Sequence, residues 1–324
     1  LEFTAEWYKN TSEDLLYAVP VPEQAGVSNT TVTMNAASMN NSGFEFSATY
    51  RNRDRDFKYE LSANLSTLRN RVTSLGFGTD SYISGAYITN VGQEIGQFYG
   101  WAYEGIARTQ EDLDNHATQE GAQIGDCLYK DISGPDGKPD GKVDANDQVV
   151  LGSGMPKIHF GLNARFEYKR FDLSIATFGA LNYHVSDDIY NSLNSCYGWG
   201  NKEVGMLDAN RFSEDGSTYL SNVPRTYVTN IARLGWNDLF SSRKIQNAAY
   251  WKIANVELGY NFPNEWFGKY VSDVRFYVSA QNLHTFTGYH GYNVDYAGGT
   301  FTPGYNFCSY PTARTFMCGV HFTF

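Results

Sequence analysis

The sequence contains no HExxH, no GxSxG, no Walker loop and no GxGxxG. The local signatures of zinc peptidases, serine hydrolases, and nucleotide- and dinucleotide-binding enzymes are therefore missing. Its four cysteines (Cys127, Cys196, Cys308 and Cys318) form no CxxC, so a cysteine metal centre is not expected. A bridge between Cys196 and Cys308 has no signal of its own. Basic residues form no long run and the net charge is −10, which sets nucleic acid aside as a partner. No carboxylate pair is singled out by spacing for glycoside hydrolysis, and no enzyme is expected. No stretch is long and apolar enough for a transmembrane helix, and mean hydropathy is −0.44. That excludes helical spans only, because a membrane β-barrel alternates polar and apolar residues and averages out as hydrophilic. The opening LEFTAEWYKN has neither the basic nor the apolar region of a signal peptide.

Aromatics and glycine are abundant. With 24 Tyr, 21 Phe and 31 Gly, the composition suits strands and turns better than helices. The strand signal is period-2 alternation. In GFEFSATYR, Phe44, Phe46, Ala48 and Tyr50 oppose Glu45, Ser47, Thr49 and Arg51. In IHFGLNARFEY, Ile158, Phe160, Leu162, Ala164 and Phe166 oppose His159, Asn163, Arg165 and Glu167. In VRFYVSAQN, Val274, Phe276, Val278 and Ala280 oppose Arg275, Tyr277, Ser279 and Gln281. The final RTFMCGVHFTF alternates through to Phe324. Eight strands are expected, at residues 1–18, 38–52, 55–69, 157–168, 170–182, 249–262, 272–283 and 313–324. Several exceed the five or six residues usual in globular sheets and match the roughly ten-residue strands that cross a bilayer.

The connections are unequal. Residues 53–54, 169 and 263–271 are short, whereas 19–37, 70–156, 183–248 and 284–312 are long. Compact soluble domains rarely carry structureless loops beyond about fifteen residues. Counted back from the last strand, every long connection falls on one side, as in an outer-membrane barrel. The expected fold is all-β: an antiparallel transmembrane β-barrel portion with long extracellular loops. The apolar face would touch lipid and the polar face would line a lumen. A chain that begins in mid-strand suggests that further strands, and any N-terminal plug, lie outside it. The competing fold is a soluble carbohydrate-binding or hydrolytic β-sandwich, and a passive porin or barrel adhesin is a third reading.

Six segments also carry a resemblance. MNNSGFEFSATY, VGQEIGQFYGWAYEGI, YKDISGPDGKPDGKVDANDQVVLGSGMPKIHFGLN, WKIANVELGYNFP, VSAQNLHTFTGYHGYNVD and YPTARTFMCGVHFTF follow one another in the order of a family's motifs. They are similar to the C-terminal part of SusC-like TonB-dependent transporters of the Bacteroidetes outer membrane. Two departures are visible: Asn293, Val294 and Asp295 replace an acidic run, and the acidic loop carries extra residues around Pro135 and Pro139. The resemblance implies about eight C-terminal strands of a plugged barrel of about twenty-two. It implies TonB-dependent import of a bulky nutrient, an oligosaccharide or a peptide, under a SusD-like surface lipoprotein. TonB would be reached through the missing N-terminal part. Phe324 would be the terminal signal read by the barrel assembly machinery.

Candidate sites lie in the long loops. Tyr197, Trp199, Trp236, Tyr289, Tyr292, Tyr296 and Tyr305 offer flat rings with a polar handle, suited to stacking on sugars or on a protein lid. Asp187, Asp188, Asn191 and Asn194 in the same region could hydrogen-bond sugar hydroxyls. In DISGPDGKPDGKVDAND, the residues Asp131, Ser133, Asp136, Asp140, Asp144 and Asp147 form a candidate structural Ca²⁺ site. Lys138 occupies a position where an EF-like register starting at Asp136 needs an oxygen. An acidic surface turn built on Asp-Gly pairs would have the same composition.

Overall fold

A computed structural model describes residues 1–20, 31–76, 78–134, 136–196, 200–226, 235–267, 271–295 and 298–324. The alternating segments lie in one antiparallel sheet. Its strands are β1 (Glu2–Pro20), β2 (Thr31–Asn52), β3 (Phe57–Thr67), β4 (Arg69–Ser74), β5 (Ile158–Tyr168), β6 (Phe171–Leu181), β7 (Tyr250–Asn261), β8 (Asp273–Thr287) and β9 (Thr315–Thr323). The order is β1-β2-β3-β5-β6-β7-β8-β9, with β4 beside β2. β2 is long enough to serve both neighbours: Ser38–Ser42 pairs with β4 and Glu45–Asn52 with β3. The switch falls at Gly43. A Cβ there would sit 1.8 Å from the carbonyl oxygen of Thr67, so only glycine admits the close approach.

Register carries the alternation across the sheet. Tyr50, Leu61, Ala164, Ile175, Val256, Ala280 and Phe316 are successive cross-strand partners, so they share one face. That face is apolar and uncovered: Leu162 is 46% exposed, Phe171 53% and Phe316 70%. Among the described residues no second sheet packs on it, which removes the β-sandwich reading.

The opposite face is polar, and several of its charges are paired. Arg51 bonds Glu2 at 2.6 Å and Glu60 at 2.7 Å. Arg275 bonds Asp172 and Glu257, each at 2.7 Å. Gly259 lies opposite both Asp172 and Tyr277 in the ladder. A Cβ on Gly259 would stand 2.2 Å from the Asp172 carboxylate and 2.4 Å from the Arg275 guanidinium. The missing side chain is what lets this ion pair cross the sheet.

The expectation of a closed, plugged transmembrane barrel is corrected here. The sheet is open: β1 pairs only with β2 in it, and β9 only with β8. Alternation and loop parity specify strands and their neighbours, whereas closure needs a pairing between first and last strands that no local pattern encodes. The chain is also not purely β, since α1 (Gln110–Asn115) and α2 (Asp188–Leu193) lie in the loops. Among the described residues no helix is long and apolar enough to cross a membrane.

The long connections fold. Residues 148–153, 97–101, 87–90 and 81–84 form a four-stranded sheet. Further pairs join 103–106 to 127–129, 184–185 to 246–247, and 186–187 to 305–306. The buried apolar clusters lie in these segments and at the ends of strands that meet them. One contains Tyr183, Val185, Ala248, Tyr250 and Tyr289, a second Ala37, Val72, Leu75 and Ile95, a third Cys127, Tyr129 and Val143. In the segment 19–37, expected as a loop, residues 19–20 belong to β1 and 31–37 to β2, and the rest lies outside the described residues.

Candidate functional site

Two polar hubs hold the loop body together. In the first, Asp126 is fully buried and accepts Arg225 Nε at 2.5 Å, Arg225 Nη2 at 3.0 Å and Asn237 Nδ2 at 3.0 Å. Asn237 Oδ1 accepts the Cys127 amide at 2.6 Å, and the Gln119 side chain bonds both Cys127 O and Tyr129 N. Side-chain amides here supply the partners that a strand ladder supplies elsewhere. Burial pushes the thiols of Cys127 and Cys196 up to about 12, so both stay protonated and inert. All four cysteines are free.

In the second hub, Asp187 caps α2, its Oδ1 accepting the Tyr190 amide at 3.0 Å. Its Oδ2 accepts the Tyr289 hydroxyl, whose oxygen accepts Asn306 Nδ2 at 2.7 Å. This ties residues 187–190 to 289 and 306. Burial, and then the Asp187 carboxylate, raise the Tyr289 phenol above its usual range.

The predicted aromatics divide. Tyr289 is 5% exposed and belongs to this hub. Trp236 is half-buried, packs on Tyr129 at 6.2 Å between ring centroids and donates its indole N–H to Glu120 O at 2.9 Å. Both therefore serve packing. Tyr292 is 67% exposed, and Tyr305 stacks on exposed Phe307 with centroids 6.5 Å apart. Tyr197, Trp199 and Tyr296 lie outside the described residues. Tyr292 borders a cleft of about 400 Å³ with Ile189, Tyr190, Leu193, Glu203 and His290. The Tyr190 and His290 rings stack at 5.7 Å, and Asn194 donates to Glu203 at 2.7 Å. Asn191 instead bonds Ser186 and Lys244 O.

The acidic loop uses its carboxylates on its own backbone. Asp131 accepts the Asp140 and Gly141 amides, and Asp140 the Lys142 amide. Asp144 accepts the Asn146 amide, while buried Asp147 accepts those of Ile132, Ser133 and Asp144. Among the described residues no group of three or more His, Cys, Asp or Glu is placed to hold a metal ion. These side chains do not converge on a cation, and no Ca²⁺ role is derived from them. Phe324 is 89% exposed just past β9.

A second cleft, of about 590 Å³, opens on the polar face at the loop end of the sheet. Met39, Ile95, Met155, Phe178, Tyr250 and Pro303 line it, with Asp295 also on its wall. Sequence reasoning missed it, because its residues come from six separate segments.

No protein-family model matches the chain. Curated proteins do. TonB-dependent receptor P3 of Formosa agariphila is 30% identical over 343 aligned residues, covering 100% of this chain and 32% of the receptor. TonB-dependent receptor SusC of Bacteroides thetaiotaomicron is 24% identical, over 98% of this chain and 29% of its own length. The similarity to TonB-dependent receptors thus runs along essentially the whole of this chain. The chain spans about a third of the length of the relatives it matches. In fold it is similar to the solved RagAB peptide transporter, with a TM-score of 0.75 at 22% identity over 98% of this chain and 33% of that one. The relatives are named as TonB-dependent receptors, and the solved structure as a peptide transporter.

Proposed function

We propose that the chain is part of a TonB-dependent importer that carries a bulky nutrient, an oligosaccharide or a peptide, across a Bacteroidetes-like outer membrane. Homology to TonB-dependent receptors over the whole chain carries this reading. The order of its motifs suits the C-terminal third of such a protein. The uncovered apolar face suits contact with lipid, because Leu162, Phe171 and Phe316 would otherwise lie in water. The folded loops would then face the cell exterior, beneath a SusD-like lipoprotein. TonB would be engaged by segments outside this chain. Exposed Tyr292 and Tyr305 are the residues proposed to meet ligand or lid, together with Tyr197, Trp199 and Tyr296.

The test is fractionation of the native envelope, with an antibody against residues 200–226. The expected result is a protein that stays with the outer membrane through carbonate washing, leaves it in detergent and co-purifies with a surface lipoprotein. Release by carbonate alone would refute the reading.

A further inference from the structure

Three cations on the uncovered apolar face have no part in the importer reading so far. The register places them. Lys9 of β1 and Arg69 of β4 both pair with Ser42 of β2, and Arg71 pairs with Asn40. Ser42 and Asn40 continue the series Tyr50, Ala48, Phe46 and Phe44 along β2, so all three cations stand on the apolar face. By strand geometry Lys9 and Arg69 are about 10 Å apart, and Arg71 lies about 7 Å further along β4. All three are exposed, and among the described residues none of their charged groups has an ion-pair or hydrogen-bond partner. We infer that they form a site for the phosphate of a lipid in the leaflet on the loop side. The inference rests on the importer reading, which puts this face in the membrane.

Position sets them apart from ordinary solvated charges. One row toward the short turns, Trp7 pairs with Phe44, and these rings are 61% and 51% exposed. One row the other way, Thr11 donates to Asn40 at 2.8 Å. The face thus changes from aromatic to cationic within a single step of about 7 Å. With the apolar band in lipid, that step is where acyl chains give way to headgroups. The cations are also confined to this corner. At the loop ends of β6, β7 and β8 the same face carries Leu181, Trp251 and Phe286. On the opposite face Arg51 and Arg275 are each held by two carboxylates. The carboxylates next along β1, Glu13 and Asp14, lie past Thr11, at the bulge between Ser12 and Leu15.

A phosphate group answers this arrangement. Its anionic oxygens can take a bidentate guanidinium and a second cation at once. Arg69 and Arg71 supply planar forks, and Lys9 supplies a flexible point charge. Arg71 is braced without being bonded: a Cβ added to Gly92 would stand 3.6 Å from its Nη2. The acyl chains would pack below, on Trp7 and on the stacked Phe44 and Phe46 rings, whose centroids are 6.2 Å apart. A soluble phosphate would meet the same cations and gain nothing from the rings, so the two contacts together select a lipid.

The experiment uses the full-length transporter purified in detergent, with lipid retention read by native mass spectrometry. The probes are bisphosphorylated lipid A, its phosphatase-treated form, and inorganic phosphate. The expected result is that lipid A is retained and that removing its phosphates weakens binding at least tenfold. The triple variant Lys9→Gln, Arg69→Gln, Arg71→Gln should weaken it about fivefold per cation. Lys169→Gln with Arg170→Gln, in the exposed β5–β6 turn at the opposite end of the sheet, should leave it unchanged. In unaltered protein, lipid A with a diazirine on an acyl chain should crosslink within residues 1–11 or 40–46, which needs no variant to fold. Equal binding of the two lipid forms, unchanged binding in the triple variant, or crosslinks confined to other segments would each overturn the assignment. Displacement of lipid A by an equal concentration of inorganic phosphate would assign the site to a soluble anion and overturn it as well. None of these outcomes touches the importer reading, which fails separately if carbonate releases the protein from the membrane.

Discussion

Strand β5 exposes Leu162 on one face and Arg165 on the other, and its backbone is satisfied by β3 and β6. Residues 126–129, in the loop body, bury all four side chains, and the Cys127 and Tyr129 amides are met by Asn237 and Gln119. In an ordinary globular protein the strands hold the core and the loops face water. Here the buried clusters lie in and beneath the loops, while the sheet keeps one apolar face uncovered. The two regions depend on different forces. The sheet is held by its ladder and by paired charges on one face. The loop body is held by apolar burial around a few fully buried polar side chains.

The sharpest way to break that contrast is Asp126→Ala. The substitution leaves Asn237, 1% exposed, and the Arg225 guanidinium without their carboxylate. Removing one partner of a buried ion pair costs about 3 kcal/mol. Hydrogen exchange should accelerate across residues 103–129 and 235–240 and leave β5 and β6 protected. Equal loss in both regions would make them one cooperative unit.

The converse change belongs to the sheet. Gly259→Ala places a methyl group where the Asp172 and Arg275 side chains meet. Overpacking of this kind costs roughly 1–2 kcal/mol. Exchange should rise in β6, β7 and β8 while residues 103–129 keep their protection. An unchanged sheet would mean that the Arg275 pairs with Asp172 and Glu257 do not contribute.

The same contrast explains what could be read from sequence. Alternation in segments such as GFEFSATYR exposes a strand because its two faces meet different surroundings, and register preserves that difference across seven strands. Closure was misjudged because the edges β1 and β9 carry the same alternation whether or not they pair. The short strands SYIS and YITN were missed, since four residues give no usable period. Asp126, Gln119 and Asn237 looked like ordinary loop polar residues, and only the fold shows them buried. Trp236 and Tyr289 looked like a ligand platform for a related reason: an aromatic in a long loop reads as exposed unless the loop itself folds over it.

The smallest effect concerns the loop body's own margin, an exposed turn beyond the Phe212–Tyr219 bridge. Asp215 is exposed and closes the turn at residues 213–218. Its carboxylate accepts the Ser213 hydroxyl at 2.6 Å, and the Ser217 amide and hydroxyl at 3.1 and 2.8 Å. The Ser213 hydroxyl leads in holding the group down at about 2, below its ordinary 3.8. A folded pKa below the unfolded one means stability that is fully present above about 4 and lost as the pH falls through about 2. The turn should therefore loosen across that window, read as a lower protection factor of the Ser217 amide against its intrinsic exchange rate at each pH, while residues 126–129 stay protected. Asp215→Asn should abolish the pH dependence and leave the turn equally loose at pH 5 and pH 2. If residues 126–129 loosened with the turn in unaltered protein, the exposed margin would share the cooperativity of the buried hub, and the boundary between surface turn and loop core would have to be redrawn.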